Sequence, residues 1–364
     1  MVRPYMALAM GSLRALRTGS LATVVLVFGF LSFLLLLILV VVDFVLATRA
    51  FPSALWIVTG LALLFLLIQW LLSPWIVRWA IGPRQQITRE TNPWLYDTLE
   101  ALAQQAGVPM PRTWLSRDAS PNAFVFGRTV RSSELVVTAG LLERLNQEEI
   151  RAVLAHEIGH LRHRDVIIMT WVSAVPLLAY ILARGGFELL RGAGRSRGKN
   201  QGQAILVAVA VAILSYAVYL VTQLLVLYLS RTREYYADAY SAAATRDPHP
   251  LASALTKISY GLSLARRGSE PSGLRAFFIG DPVKANDDYA VLADRMRRYD
   301  IDRDGQIDAY ELQKALEDER RNPWRRANDL FSTHPPTYKR ILMLEQIEEE
   351  IKRGALPANV YQYV

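Results

Sequence analysis

His156-Glu157-Ile158-Gly159-His160, within the longer stretch Asn146 to Leu161, sets two imidazoles one helical turn apart with a carboxylate beside them. At ~100° per residue the histidines stand about 40° apart on one helix face, and Glu157 flanks that face. Such a pair chelates one Zn²⁺ through neutral imidazole nitrogens. The glutamate stays off the metal, close enough to take a proton from water activated there. A surface helix with two histidines would be the bland reading, but the flanks oppose it. Asn146 is a natural N-cap, Glu148 and Glu149 supply acid to the first turn, and Ile150, Val153, Leu154 and Leu161 give an apolar face.

Composition adds a second constraint. With 52% hydrophobic residues and positive mean hydropathy over 364 residues, the chain is too apolar for an ordinary soluble enzyme. The excess is concentrated in runs. Leu21 to Val42 is almost unbroken Leu, Val, Ile and Phe, and Ala54 to Leu72 is a second run closed by Trp70, Trp75 and Trp79. Each is long enough for a ~30 Å hydrocarbon core, and the tryptophans suit the headgroup level. A cleaved signal peptide would carry a shorter apolar stretch. Val166 to Ala183 is a weaker span, short and interrupted by Pro176, whereas Ala204 to Ser230 would reach about 40 Å as a helix.

Basic residues set an expected orientation. Arg3, Arg14 and Arg17 precede the first run and Arg78, Arg84 and Arg89 follow the second, while the loop between carries only Arg49 beside Asp43. Both flanks are therefore expected in the cytoplasm. The net charge of +8 (41 basic, 33 acidic) then reads as attraction to the anionic inner leaflet of the lipid bilayer, and no nucleic-acid recognition motif accompanies it. One feature conflicts: the loop bearing Arg184, Arg191, Arg195, Arg197 and Lys199 would face the far side if the third and fourth runs form a hairpin.

Zero cysteines exclude disulfides, Fe–S clusters and thiolate ligands, so metal ligands must be His, Asp or Glu. His163 and Val166 stand where a metzincin requires Gly and His, which excludes that class and leaves a carboxylate as the third ligand. Glu234-Tyr235-Tyr236-Ala237-Asp238, directly after the fourth run, places two carboxylates on one helix face. One can bind the ion while the other accepts the spare N–H of a ligating imidazole. If Glu234 is the ligand, the chain between His160 and Glu234 must leave and return on one side, hence the hairpin.

These residues resemble HtpX-like membrane zinc metalloproteases, relatives of the CAAX prenyl proteases. The likeness rests on two N-terminal runs, Ser120-Pro121-Asn122-Ala123-Phe124-Val125-Phe126-Gly127, the HEIGH helix, the second apolar pair, Glu234 to Asp238, and Phe331-Ser332-Thr333-His334-Pro335-Pro336, in that order. It implies a zinc endopeptidase acting on membrane or misfolded protein substrates. By the same resemblance Asn122 lies on an edge strand that pairs with substrate backbone, Asp238 orients His156, and His334 and Arg340 stabilise substrate and developing oxyanion. The pattern from Ala123 to Val130, followed by Glu134 to Thr138, is compatible with a small hairpin whose open edge adds a peptide strand.

Asp300 to Glu311 departs from the family pattern and fills an EF-hand loop. Asp300, Asp302, Asp304, Gln306, Asp308 and Glu311 occupy the calcium-ligand places, with Gly305 at the sharp turn. Tyr289, Leu292, Met296 and Tyr299 suit the entering helix, and Leu312, Ala315 and Leu316 the exit helix before Asn322-Pro323.

The expected fold class is mainly α: an integral membrane protein with about four transmembrane helices, a zincin-type α+β catalytic domain with a small β-element, and an inserted EF-hand. Residues 1–78 form the first transmembrane hairpin, 79–165 the zincin part with the HEIGH helix, and 166–230 the second hairpin. Residues 231–282 carry the third ligand, 283–325 the EF-hand, and 326–364 the C-terminal catalytic motif. Zinc on His156, His160 and Glu234, with Glu157 as base, makes a multi-pass endopeptidase of a bacterial-type inner (plasma) membrane, its catalytic domain facing the cytoplasm. Calcium is the second expected cofactor. The alternative of another class is an inactive membrane calcium sensor on a zincin scaffold. A transporter would need polar groups in its spans, where Thr222 and Gln223 are nearly all that is offered.

Overall fold

The computed structural model describes residues 13–46, 51–193, 201–264, 332 and 334–352. Helices α1 (Leu13–Leu46) and α2 (Phe51–Ile81) come first, then β1 (Arg84–Gln86), α3 (Pro93–Ala106), β2 (Arg112–Ser116), β3 (Ala123–Phe126) and β4 (Glu134–Thr138). Helices α4 (Ala139–Arg144), α5 (Gln147–Arg162), α6 (Asp165–Ala193), α7 (Gln201–Thr245), α8 (His249–Leu264) and α9 (Thr337–Lys352) follow. The described residues divide into two units. One takes in residues 13–17, 74–167 and those from 230 onward, and the other residues 18–73 and 168–229. The calcium loop Asp300 to Glu311 lies outside the described residues.

In the second unit, Val27 and Leu31 of α1 pack with Val172, Val175 and Leu178 of α6 and Val226 and Leu229 of α7. The spacing of three or four residues turns one stripe of each helix inward. The opposite faces are apolar too: Leu21, Phe33, Leu61, Leu64 and Leu206 are exposed, as suits helices surrounded by lipid tails. Four segments have the length and composition to cross a bilayer: Leu21–Ile38, Leu63–Ile81, Asp165–Glu188 and Gly202–Thr245. The weak third run is thus the N-terminal part of a 29-residue helix that absorbs Pro176. Gly186 lies so near α7 that a Cβ there would stand 2.7 Å from the Ala212 backbone nitrogen, the small-residue approach that lets membrane helices pack.

The other unit is built on a four-stranded sheet of order β1-β2-β4-β3, antiparallel except for the parallel pair β2–β4. Only β3 and β4 were legible as strands; β1 and β2 were not foreseen. Strand β3 ends at Phe126, short of the expected Val130, because Gly127 takes φ 154 and the chain turns into a 3-10 turn at Val130–Ser132. Alternation then divides the residues. Ala123, Val125, Leu135 and Val137 enter the main core with α3, α5 and α8, while Phe124, Phe126 and Val136 pack with Val77 at the end of α2. Glu134, buried at the start of β4, accepts hydrogen bonds from Arg78 Nε (3.0 Å) and Trp114 Nε1 (2.9 Å). A charge is tolerable there only with such partners.

Local rules place the helices. Asn92 caps α3 by accepting from Leu95 N, Pro93 opens the helix, and Gly107 closes it in the left-handed region. For α5 the cap expected at Asn146 forms a full capping box. Its side chain accepts from Glu149 N, and its N–H donates to Glu149 Oε2, both at 2.9 Å. Glu149 is also held by Ser253 Oγ (2.6 Å) and Lys257 Nζ (2.6 Å), which ties α5 to α8. The expected amphipathic helix is buried over most of its length, packed against β3, α3 and α8.

Gly140 opens α4 where the chain doubles back on Ala119. A Cβ there would lie 2.0 Å from the Ala119 carbonyl oxygen, a backbone atom that cannot swing aside. Gly140→Ala is expected to destabilise by about 3 kcal/mol, at the upper end of overpacking effects. Thermal melts in detergent check this against Gly29→Ala, where nothing lies within 4 Å. A melting point equal to that of Gly29→Ala would contradict the close approach.

Candidate active site

Helix α5 meets α7, and Gly159 allows the contact: a Cβ there would reach 3.0 Å from the Tyr240 ring. Ser241 Oγ donates to the Ala152 carbonyl at 2.7 Å and locks the crossing. His156 Nε2 and His160 Nε2 stand 3.1 Å apart, and Glu234 of α7 brings Oε2 to 3.6 Å from the first and Oε1 to 3.6 Å from the second. Ligands held ~2.0–2.1 Å from a tetrahedral zinc ion are roughly 3.4 Å apart. Three donors therefore already stand at zinc spacing. Glu234 Oε2 is buried without a hydrogen bond among the described residues, its cationic neighbour being Arg340 Nη1 at 3.3 Å. Glu157, 3% exposed, belongs to the same cluster as His156 and His160.

Each imidazole has a carboxylate behind it. Asp238 Oδ1 stands 2.8 Å from His156 Nδ1, one turn along α7 from Glu234. Arg340 of α9 holds Asp238 with both prongs of its guanidinium, Nε to Oδ2 at 2.8 Å and Nη2 to Oδ1 at 2.7 Å, and reaches Glu234 Oε2 at 3.3 Å through Nη1. The fold thus turns Arg340, 1% exposed, toward two carboxylates of the site. On the other side His160 Nδ1 lies 2.7 Å from Asp165 Oδ2, and Asp165 was not foreseen from sequence. Its signal was its place just after the motif helix. His163, on the same sequence stripe, is the C-cap of α5, its ring 5.9 Å from that of Tyr240.

His334, 4% exposed, places Nδ1 3.5 Å from Glu234 Oε1, and neither ring nitrogen makes a hydrogen bond among the described residues. Asn122 is buried just before β3, its backbone N–H donating to Thr138 Oγ1 at 2.9 Å. Strand β3 is an edge of the described sheet.

Burial pulls the His156 imidazole down, but the Asp238 and Glu234 carboxylates outweigh it and hold its pKa up to about 9. His160 is likewise raised, burial being overcome by Asp165. Metal loading near neutral pH must therefore displace protons, and affinity should fall as pH falls. Burial pushes the Glu157 carboxyl above its ordinary value, against the pull of both histidines. His163 is driven down to about 4 by burial and stays neutral.

Metal-assisted hydrolysis is the chemistry this donor set suits, and the apolar helices set it in a multi-pass membrane protein, so the class is that of the membrane metalloproteases. The chain belongs to Peptidase family M48, whose profile matches residues 89–348. A protease HtpX homolog of Aeropyrum pernix is 35% identical over 297 residues, covering 80% of this chain and 86% of the relative. Another from Methanothermobacter thermautotrophicus is 40% identical over 214 residues, covering 59% of this chain and 76% of the relative. Among solved structures, that of S. mikatae Ste24p aligns with a TM-score of 0.46 at 16% identity over 90% of this chain and 65% of that one. The resemblance drawn from the motifs is borne out at the level of the family.

Proposed function

We propose that the protein is a zinc endopeptidase in which His156, His160 and Glu234 hold the metal and Glu157 is the general base. The convergence of two imidazole nitrogens and one carboxylate at 3.1 to 3.6 Å carries this reading. Zinc bound there would polarise the scissile carbonyl and lower the pKa of the attacking water. The Glu157 carboxylate takes a proton from that water as its oxygen bonds to the carbonyl carbon, and returns it to the leaving amine as the C–N bond breaks. His334 is close enough to the ligands to offer an N–H to the developing oxyanion. Arg340 acts through Asp238 and Glu234, neutralising both and holding their geometry. Asn122 starts an edge strand, and an extended substrate can add to that edge by backbone hydrogen bonds.

The substrates proposed are membrane or misfolded proteins, because the site lies on a chain with membrane-length helices. The basic flanks of α1 and α2 favour an inner-membrane setting with the catalytic unit in the cytoplasm. Calcium control through Asp300, Asp302, Asp304, Gln306, Asp308 and Glu311, within residues 283–325, rests on the sequence alone. In sequence the hand falls between Glu234 and His334, so calcium bound there would act on the substrate side and not on zinc retention.

One preparation tests both metals. Purified protein in detergent should carry one zinc per chain and cleave an unstructured protein. Chelation should abolish cleavage and zinc restore it. With zinc buffered, calcium should change the rate and give a heat of binding with Kd of ~10⁻⁵ to 10⁻³ M, both lost in Glu311→Gln. Cleavage that survives complete zinc removal would end the zinc reading, and a rate indifferent to calcium and to Glu311 would end the regulatory one.

A further inference from the structure

We infer that Asp165 and Arg233 form a positioning pair for His160, the counterpart of Asp238 and Arg340 behind His156, and that this pair sets the site's metal affinity. The inference deepens the zinc reading and rests on it. Asp165 and Arg233 are 5% and 3% exposed, so a charge on either must be matched. The two oxygens of Asp165 are divided between two tasks. Oδ2 lies 2.7 Å from His160 Nδ1, and Oδ1 accepts from Arg233 Nε at 2.6 Å and pairs with its Nη2. The same guanidinium donates from Nη2 to the His163 carbonyl at 3.1 Å, which fastens it to the end of α5.

A carboxylate at Nδ1 keeps the proton on that nitrogen, so the Nε2 lone pair faces His156 Nε2 and Glu234. The backbone is shaped to put the carboxylate there. Arg164, between α5 and α6, has φ 60, in the left-handed region that costs a non-glycine residue ~1 kcal/mol or more, and this turn brings Asp165 back beneath His160. Arg233 immediately precedes Glu234, so its bond to Asp165 also registers the proposed third ligand against His160. Both histidines are therefore backed by an aspartate, and both aspartates by an arginine from elsewhere in the chain. Lysine would not serve equally, since a point charge cannot hold Asp165 and the His163 carbonyl with one planar fork.

The test is zinc affinity, measured on the full chain in detergent by competition with a chromophoric chelator. Wild type should take up one zinc per chain; if it takes up none, the zinc reading fails and this inference with it. Asp165→Asn and Arg233→Gln should each weaken zinc binding ~10- to 100-fold. The double variant should be no weaker than the worse single variant by more than about threefold, because both act through His160. Arg78→Gln is the control: it strips a guanidinium from the buried Glu134, away from the histidines, and should lower the melting point while leaving zinc affinity unchanged. Zinc affinity for Asp165→Asn within about twofold of wild type, with a melting point lowered as in the control, would reduce the pair to a structural ion pair. Should Asp165→Asn not fold, Arg233→Lys decides, since it keeps the charge and loses the fork: several-fold weaker zinc binding is expected, and unchanged affinity overturns the inference.

Discussion

Glu157→Gln should abolish at least ~10²-fold of the proteolytic rate while the protein still folds and still carries its full zinc. The amide keeps the shape of the side chain and cannot accept the proton, so the loss falls on kcat. Retention of the fold follows from electrostatics. The buried Glu157 carboxyl has its pKa pushed up by burial. A carboxyl whose folded-state pKa exceeds its unfolded value is a stabilising proton site at low pH, and that contribution disappears as pH rises through the folded-state value. Above that window the ionised glutamate is a burden that glutamine does not carry. The metal-stripped variant should therefore melt no lower than metal-stripped wild type at pH 8. Single-turnover cleavage, zinc analysis and melting curves on the same samples check this, and a variant with more than a tenth of the wild-type rate would take the proton-transfer role from Glu157.

Glu234→Ala should lose the metal itself. Four-ligand zinc sites bind with ~10–16 kcal/mol, so one ligand is worth roughly 3–4 kcal/mol, or about 10²- to 10³-fold in affinity. Asp238→Asn, which leaves the three proposed ligands in place, should cost ~10- to 100-fold at most. The two variants separate ligand from orienter, because Glu234 and Asp238 share one face of α7 and both are buried. Full zinc stoichiometry in Glu234→Ala at a metal concentration that just saturates wild type would remove Glu234 from the metal. A loss in Asp238→Asn equal to that in Glu234→Ala would make the two carboxylates equivalent.

Much of the site could be read from the chain because its parts are local. Asn146 and Glu149 make a cap within three residues, and His156 and His160 share a face by helical period alone. The apolar helices declare themselves by unbroken runs. Strand β1, Arg-Gln-Gln, has neither alternation nor apolar residues, and its pairing with β2 is decided by Trp114 and Leu115 far along the chain. The parallel pairing of β2 with β4 is equally remote from sequence period. Asp165 is one of the few carboxylates after the motif, but its contact with His160 is not legible in sequence because it needs a left-handed turn at Arg164, a residue type that does not signal one.

What the sequence by itself determined is therefore the helices and the side chains each brings to one face: His156 beside His160, and Glu234 beside Asp238, follow from helical spacing. What only the tertiary structure decided is which of these side chains stand together. Glu234 and Asp238 are four residues apart with the same chemistry, and nothing local distinguishes them. Arg340, 102 residues beyond Asp238, grips both of its oxygens and touches Glu234 through one nitrogen at 3.3 Å, while Glu234 stands 3.6 Å from each of the two imidazole nitrogens. Period along a helix fixes which side chains share a face. How the two carboxylates are matched depends on a charge delivered by a distant helix, and burial makes that pairing obligatory.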